Sequence, residues 1–402
     1  MNQYETERTG RPLRDDFVLA ACVLLIAGLG LVTLLSSSYA FSERKFNGNG
    51  FEIIVHQLKI FGAALILFAV CVTVPIKVFR MLTGWALVLA AVFCIMTFIP
   101  FFRVERNGAA RWINLGPVEY QPSEAVKLAL PLYLAHIFDK KQHRTDGNNV
   151  NYFFSIILSP VIVTAFFLVM ILFQNDYSTT ILVGFNAFAM FLAAGMRLRF
   201  LIPGLCLFSA AAALPVISNR TRLSRVAGWI SQKIPGLSFP DMNVTDTMYQ
   251  ADNAARAINS GGFWGKGLGQ GAWKIIKVPE VQTDFIFAAY AEESGFFGVL
   301  IFFALFALFA FWGYRAVWRS KSFFNQLVCF GLVTMIVSQA LLNTGVAGGF
   351  LPTTGIPLPF FSAGGSSLLT TFAASGLIVN LSRQSIIAGS ESSFARGVRD
   401  VQ

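Results

Sequence analysis

Asp284 stands where acid–base chemistry and a membrane boundary meet. Residues 261–298 read GGFWGKGLGQGAWKIIKVPEVQTDFIFAAYAEESGFFG, passing from a Gly-rich polar stretch through Asp284 into the apolar run opened by Phe285, Ile286 and Phe287. A carboxylate at such a boundary faces the aqueous layer and can remove a proton from a hydroxyl within hydrogen-bond reach. The bland alternative is an N-cap for the following helix, a common role for Asp before an apolar run. Glu292 and Glu293 lie two turns further in, and at about 100° per residue Glu293 faces away from Asp284 while Glu292 lies nearer its side. The GKGLG core at 265–269 lacks the spaced GK[ST] ending of a phosphate loop and reads as a flexible set of turns.

Three more polar insertions interrupt the apolar pattern. Residues 108–127, GAARWINLGPVEYQPSEAVK, carry Arg111, Gln121, Ser123, Glu124 and Lys127 into the start of an apolar segment. Ionisable groups there are expensive and need partners; Glu124 and Lys127, three apart, can pair on one helix face. Residues 174–179, QNDYST, centre on Asp176, which suits an N-cap or a turn as well as a ligand contact. Residues 343–367, NTGVAGGFLPTTGIPLPFFSAGGSS, include Ser366 and pack Gly, Pro and small hydroxyl residues between two apolar helices. Such irregular backbone survives at membrane depth only when buried in protein or lining a cavity.

The elements that must position these residues are membrane helices. Of 402 residues 55% are hydrophobic and 13% charged, about half the ~25% charged share of soluble domains. Apolar segments recur at 17–37, 53–74, 82–102, 125–138, 152–173, 179–194, 200–217, 285–312, 327–342 and 366–381, giving an all-α polytopic protein of about ten transmembrane helices. The expected organisation is an N-terminal tail at 1–16, a membrane domain at 17–382 with a large loop at 219–284 between helices 7 and 8, and a C-terminal tail at 383–402. The fourth and sixth segments are short and open with polar residues, so both are expected to extend into protein-lined space. Residues 17–37 and their polar leader are too long for a signal peptide, which makes them an uncleaved first helix.

The net charge of +10 does not point to nucleic acid, because the basic residues sit in short clusters between apolar runs. They fall at Arg8, Arg11 and Arg14, at Lys77 and Arg80, at Lys140, Lys141 and Arg144, at Arg197 and Arg199, at Arg315, Arg319 and Lys321, and at Arg383, Arg396 and Arg399. The alternate short loops hold only Arg44, Lys45, Arg103, Arg106 and Arg111. By the positive-inside rule both termini are cytoplasmic and 219–284 lies outside. Cys22, Cys71, Cys94, Cys206 and Cys329 fall in apolar segments without ligand spacing, so neither a disulfide nor a cysteine metal site is expected.

The RWINLGP and QPSEAVK pair, the PE..TDFIFA..AEE.G run and the PTTGIPLPFFS.GGSS run are long, ordered and specific. Together they closely resemble the SEDS family, the shape, elongation, division and sporulation proteins of FtsW, RodA and SpoVE type; the wording GKGLGQGAWKIIKVPE and the Arg225 region are nearer FtsW than RodA. The resemblance covers nearly the whole membrane region. It implies a peptidoglycan glycosyltransferase that polymerises lipid II at the outer face of the bacterial cytoplasmic membrane. Its implied partners are a class B penicillin-binding protein transpeptidase and other divisome or elongasome membrane proteins. Asp284 matches the family's essential aspartate, expected to act as general base on the acceptor 4-hydroxyl. Gln121, Glu124 and Lys127 match the QPSE..K motif, and with Arg111, Asp176 and Ser366 form the expected substrate-binding set. Asp176 matches the aspartate of a usual PDLGT stretch, from which this chain departs with Asn175, Tyr177 and Ser178; Ala363 and Ser294 are further departures, where tyrosine and leucine are usual. Positive charge for the leaving pyrophosphate is expected from Arg111, Lys127, Arg225, Arg256 and Lys274, or from a divalent cation, Mg or Mn, with no tightly bound cofactor.

The rival functions are a lipid II flippase, which needs a continuous hydrophilic path to the cytoplasmic side, a secondary transporter, which would show repeat symmetry, and a non-enzymatic division scaffold, which would tolerate loss of Asp284. The charge bias gives the first test. Reporter fusions at the C-terminus are expected to be active only in the cytoplasm; a periplasm-active fusion there would put every site residue in the wrong compartment.

Overall fold

The computed structural model describes residues 15–106, 109–116, 118–141, 156–234, 245–271 and 281–399. Residues 1–14 and 400–402 of the expected tails lie outside these, as does Lys274. Each of the ten apolar segments forms a helix: α1 Asp15–Lys45, α2 Glu52–Thr73, α3 Ile76–Met96, α4 Pro122–Lys141, α5 Leu158–Phe173, α6 Tyr177–Ala193, α7 Leu198–Ser218, α10 Ile286–Arg319, α11 Phe323–Ala347 and α12 Gly365–Arg399. Among the described residues six of them, α1, α2, α3, α7, α10 and α11, are long and apolar enough to cross a membrane; α5 and α6 are shorter apolar helices.

Local chemistry sets the helix ends. Pro75, extended at φ −57° and ψ 137°, stands at the N-cap of α3 and starts it earlier than the expected residue 82, while the helix ends at Met96, short of Pro100. Pro122 opens α4, a first-turn position where its missing N–H costs nothing, with Glu124 in the same turn. Asp176 caps α6 by accepting from the Thr179 N–H at 3.4 Å.

The core gathers around α11 and α12, whose inward faces bury Leu332, Val333, Ile336, Phe372, Ala374 and Ile378. Asn380 donates to the carbonyls of Cys71 and Val74 at 2.8 and 2.6 Å, satisfying the end of α2. Asp15 pairs with Arg319 at 2.5 Å and Arg315 at 3.5 Å, and Ser36 donates to Glu293 at 2.5 Å, so α1 and α10 run antiparallel. The outward faces of α2, α3 and α7 expose large apolar residues such as Ile66, Trp85 and Leu207, as a lipid-facing surface requires.

Two features add to the helical reading. Three strands, β1 Arg103–Arg106, β2 Ala109–Asn114 and β3 Glu119–Tyr120, form an antiparallel sheet in the order β1-β2-β3. Arg103 pairs with Ile113, which in turn pairs with Tyr120. The stretch expected as one large loop holds two helices among its described residues: α8 Arg220–Lys233 follows α7 after Asn219, and α9 Thr245–Ser260 leads into the Gly-rich turns. In α8, Leu223, Ala227 and Ile230 share one face at helical spacing, a pattern too polar to register as a membrane run.

The Gly-rich turns are not loose. Residues 261–269 dock against a break in α10 at Gly295, where φ is 65° and ψ −166°. Lys266 and Gly267 donate backbone hydrogen bonds to the carbonyls of Glu292 and Glu293 at 3.1 and 3.0 Å, and Phe296 donates back to Gly262 at 2.9 Å. A Cβ on Gly295 would strike the backbone nitrogen of Gly265, and one on Gly265 the carbonyl of Glu293. The Gly295 conformation is essentially restricted to glycine. Gly295→Ala is therefore expected to cost at least about 1–3 kcal/mol, read as a lower thermal midpoint in detergent. Gly28→Ala, where a new Cβ meets nothing within 4 Å, should show no such loss.

Candidate active site

Asp284 sits in the turn 281–285 and is half-buried. The N-cap position of α10 falls on the next residue, Phe285, which makes no side-chain cap hydrogen bond. The turn is stitched to the irregular segment before α12. Asn343, on α11, donates through Nδ2 to the carbonyl oxygens of Asp284 at 2.9 Å and Ile356 at 2.7 Å. Ser362 donates to the Thr283 carbonyl at 2.5 Å and accepts from the Leu358 N–H at 2.7 Å. The Ala363 N–H reaches the Gln282 carbonyl at 2.8 Å. Gly355, at φ 73°, lies beside the carboxylate: a Cβ there would stand 3.4 Å from Asp284 Oδ2. Glycine thus keeps one side of the carboxylate clear.

Arginines gather on the approach to this carboxylate. Arg111, on β2, is half-buried and donates through Nη2 to the Asn175 carbonyl at 2.7 Å; its Nε is buried without a hydrogen-bond partner among the described residues. Arg222, on α8, lies with its guanidinium carbon 3.5 Å from the centre of the Tyr177 ring and reaches Asn175 Oδ1 at 3.4 Å. Arg225 follows one turn later on the same helix. Its outer surface is exposed, yet burial of its inner side is the largest cause lowering its guanidinium below the ordinary arginine value. Arg111 and then Arg222 add by like-charge repulsion, and Asp284 opposes them by attraction. Arginine stays protonated throughout the physiological range, so the three form one positive group, of which Arg225 feels the charge of Asp284.

The remaining expected residues form a brace beneath. Gln121 donates through Nε2 to Asp176 Oδ2 at 2.8 Å, with Ser123 at 3.4 Å on the same oxygen, and the Gln121 N–H reaches Ser366 Oγ at 3.1 Å. Asp176 is therefore both a cap and a cross-link. Glu124 and Lys127 pair at 2.7 Å, each at most 3% exposed. Lys127 also donates to Gln339 Oε1 at 3.0 Å, and Gln339 passes the connection to the Pro357 carbonyl at 2.8 Å. These two residues meet the candidate site through Gln339 and Pro357, not by facing it. Arg256 pairs with Asp252 on α9 at 2.8 Å. Glu293 is held by Ser36 and by the Gly269 N–H at 2.9 Å, and Glu292 lies near Lys266 at 3.6 Å and Ser260 at 3.4 Å. Both serve the docking of the Gly-rich turns. Among the described residues no three His, Cys, Asp or Glu side chains converge to hold a metal ion.

Arg222, Tyr177, Asn343, Gln339 and Ser362 are absent from the sequence-derived set. The i, i+3 spacing of Arg222 and Arg225 in RTRLSR was the available signal for the first; the others are ordinary residue types until the fold brings their partners in.

Comparison with known proteins decides the family. Residues 16–386 match the cell cycle protein family of FtsW, RodA and SpoVE. The chain belongs to this family. It is 36% identical over 357 residues to a probable peptidoglycan glycosyltransferase FtsW of Synechocystis, covering 89% of this chain and 86% of that one. The crystal structure of the rod shape determining protein RodA of Thermus thermophilus superposes with a TM-score of 0.63 at 26% identity, covering 91% of this chain and 95% of that one. A chain from a structure of a peptidoglycan synthase complex that coordinates polymerization and crosslinking shares the fold, with a TM-score of 0.71 at 24% identity over 92% and 98% of the two chains. The FtsW-like wording of the Gly-rich segment accords with the first of these.

The buried pair gives this site its stability test. Removing one member of a buried ion pair strands the other charge at a cost of about 3–5 kcal/mol. Lys127→Met should lower the thermal midpoint sharply, whereas the double change Glu124→Gln with Lys127→Met should recover much of the loss. Equal loss in both would show that the pair does not carry the brace.

Proposed function

We propose that the chain is a peptidoglycan glycosyltransferase of the bacterial cytoplasmic membrane that polymerises lipid II at its outer face, with both termini cytoplasmic. The observation that carries this reading is one half-buried carboxylate, Asp284, its backbone held by Asn343 and its charge felt by Arg225, which Arg111 and Arg222 accompany. The names and coverage of the relatives support the reaction class.

In the proposed reaction Asp284 accepts the proton of the acceptor sugar's 4-hydroxyl as that oxygen attacks the anomeric carbon of the growing strand. The bond from that carbon to the lipid diphosphate breaks, and the diphosphate leaves with the electron pair. A diphosphate needs no proton to depart, so one carboxylate suffices where glycoside hydrolases use two. The departing group gains charge, and preorganised arginine forks at its position stabilise it. In this proposal arginine supplies positive charge at the departing diphosphate. Gln121, Asp176 and Ser366 serve by fixing β3, α4 and α12 around the site.

A bitopic class B penicillin-binding protein is the proposed partner, supported by the shared fold with a synthase complex that couples polymerization to crosslinking. The FtsW-like segment favours a role in division over elongation. In a polymerisation assay with purified lipid II, Asp284→Asn is expected to cost roughly 10²-fold or more in rate while folding and partner binding survive. Wild-type polymerisation by the Asn variant would remove Asp284 from the chemistry.

A further inference from the structure

The turn at 175–178 is where this chain leaves the family's usual PDLGT wording, and the same turn holds two of the three arginines. Asn175 adopts φ 62°, a left-handed conformation that asparagine tolerates and that a proline, locked near −65°, cannot adopt. That conformation turns the Asn175 carbonyl toward Arg111 Nη2 at 2.7 Å and presents its Oδ1 to Arg222 Nη2 at 3.4 Å and to the Tyr177 hydroxyl at 3.3 Å. The Tyr177 ring lies 3.5 Å from the guanidinium carbon of Arg222; a leucine in its place has no π face to offer. Ser178 then donates to the Thr354 carbonyl at 2.5 Å, next to Gly355 and so to the Asp284 carboxylate. One short turn therefore sets where Arg111 and Arg222 stand relative to Asp284.

Three like charges drawn together raise the energy of the empty site, and an anion bound among them relieves it. The guanidinium fork matches phosphate oxygens bidentately, and Arg111 keeps a buried Nε without a hydrogen-bond partner among the described residues. We infer that Asn175 and Tyr177 are positioning residues that hold Arg111 and Arg222, with Arg225, as an anion site for the diphosphate of the lipid-linked donor. This inference rests on the glycosyltransferase reading for its ligand but not for its geometry.

The test uses the full chain in detergent, with inorganic pyrophosphate and farnesyl diphosphate as probes, measured by calorimetric titration and as inhibitors of lipid II polymerisation. Tyr177→Leu is expected to weaken both probes about three- to tenfold, the worth of one partly shielded cation–π contact, and to raise the donor KM by a similar factor with a smaller change in kcat. Tyr177→Phe keeps the ring and should remain within about twofold of wild type. A purely structural Tyr177 would lower the thermal midpoint and leave probe affinity unmoved. Should Tyr177→Leu fail to fold, Arg222→Lys, which keeps the charge and loses the planar fork, carries the same expectation. Weakening of inorganic pyrophosphate alone would assign the site to the free anion and overturn the donor assignment. Unchanged affinity and KM in Tyr177→Leu, with Asp284→Asn inactive, would overturn the inference and leave the proposed function standing. Loss of probe binding on Tyr177→Leu in a protein that makes no polymer would uphold the anion site and sink the polymerase reading instead.

Discussion

One side-chain amide joins the two halves of the site. Asn343 Nδ2, buried on α11, donates to the backbone of Asp284 and to that of Ile356. In a bilayer every backbone carbonyl that leaves a helix must find a donor within the protein. Two irregular segments, 281–285 and 348–364, release several such carbonyls at once. Asn343, Ser362 and Gln339 satisfy them by bridging from one segment to the other or from a neighbouring helix. The backbone that carries the carboxylate is fixed because its carbonyls take part in satisfying that hydrogen-bond constraint.

The same logic runs through the brace below. Glu124 and Lys127 are too buried to be solvated, so they neutralise each other, and the spare donor of Lys127 goes to Gln339. Asp176 caps α6, accepts from Gln121 and is buried in one place. Polar residues in this core are chained together, each partner fixing the next, so the geometry near Asp284 is coupled to groups that never face it. Positive charge gathers instead on β2 and α8, at Arg111, Arg222 and Arg225.

The docked Gly-rich turns extend the constraint to α10. Gly265 and Gly295 let two backbones meet more closely than any side chain permits, and the break they create lets Glu292 and Glu293 offer their carbonyls to the turn as well as their carboxylates. The helix that Asp284 introduces is thereby held from the side, through Ser36 on α1 as well as through α11.

Sequence alone determined what depends on periodicity, composition and motif. The ten apolar segments, the family, the boundary position of Asp284 and the pairing of Glu124 with Lys127 were all legible, because a bilayer imposes long apolar runs and an i, i+3 pair needs no tertiary information. The helices α8 and α9 were hidden by their polarity, and the sheet at 103–120 by strands too short to alternate for long. Only tertiary structure decided that Arg222 joins Arg111 and Arg225, since Arg222 depends on the ring of Tyr177 and a left-handed Asn175 some 45 residues away. It also decided that Lys127 is spent on Glu124 and Gln339 while Arg111 lies on the approach to Asp284. Spacing along the chain records which residues share a helix face; which buried charge finds a partner is settled by the packing of distant helices.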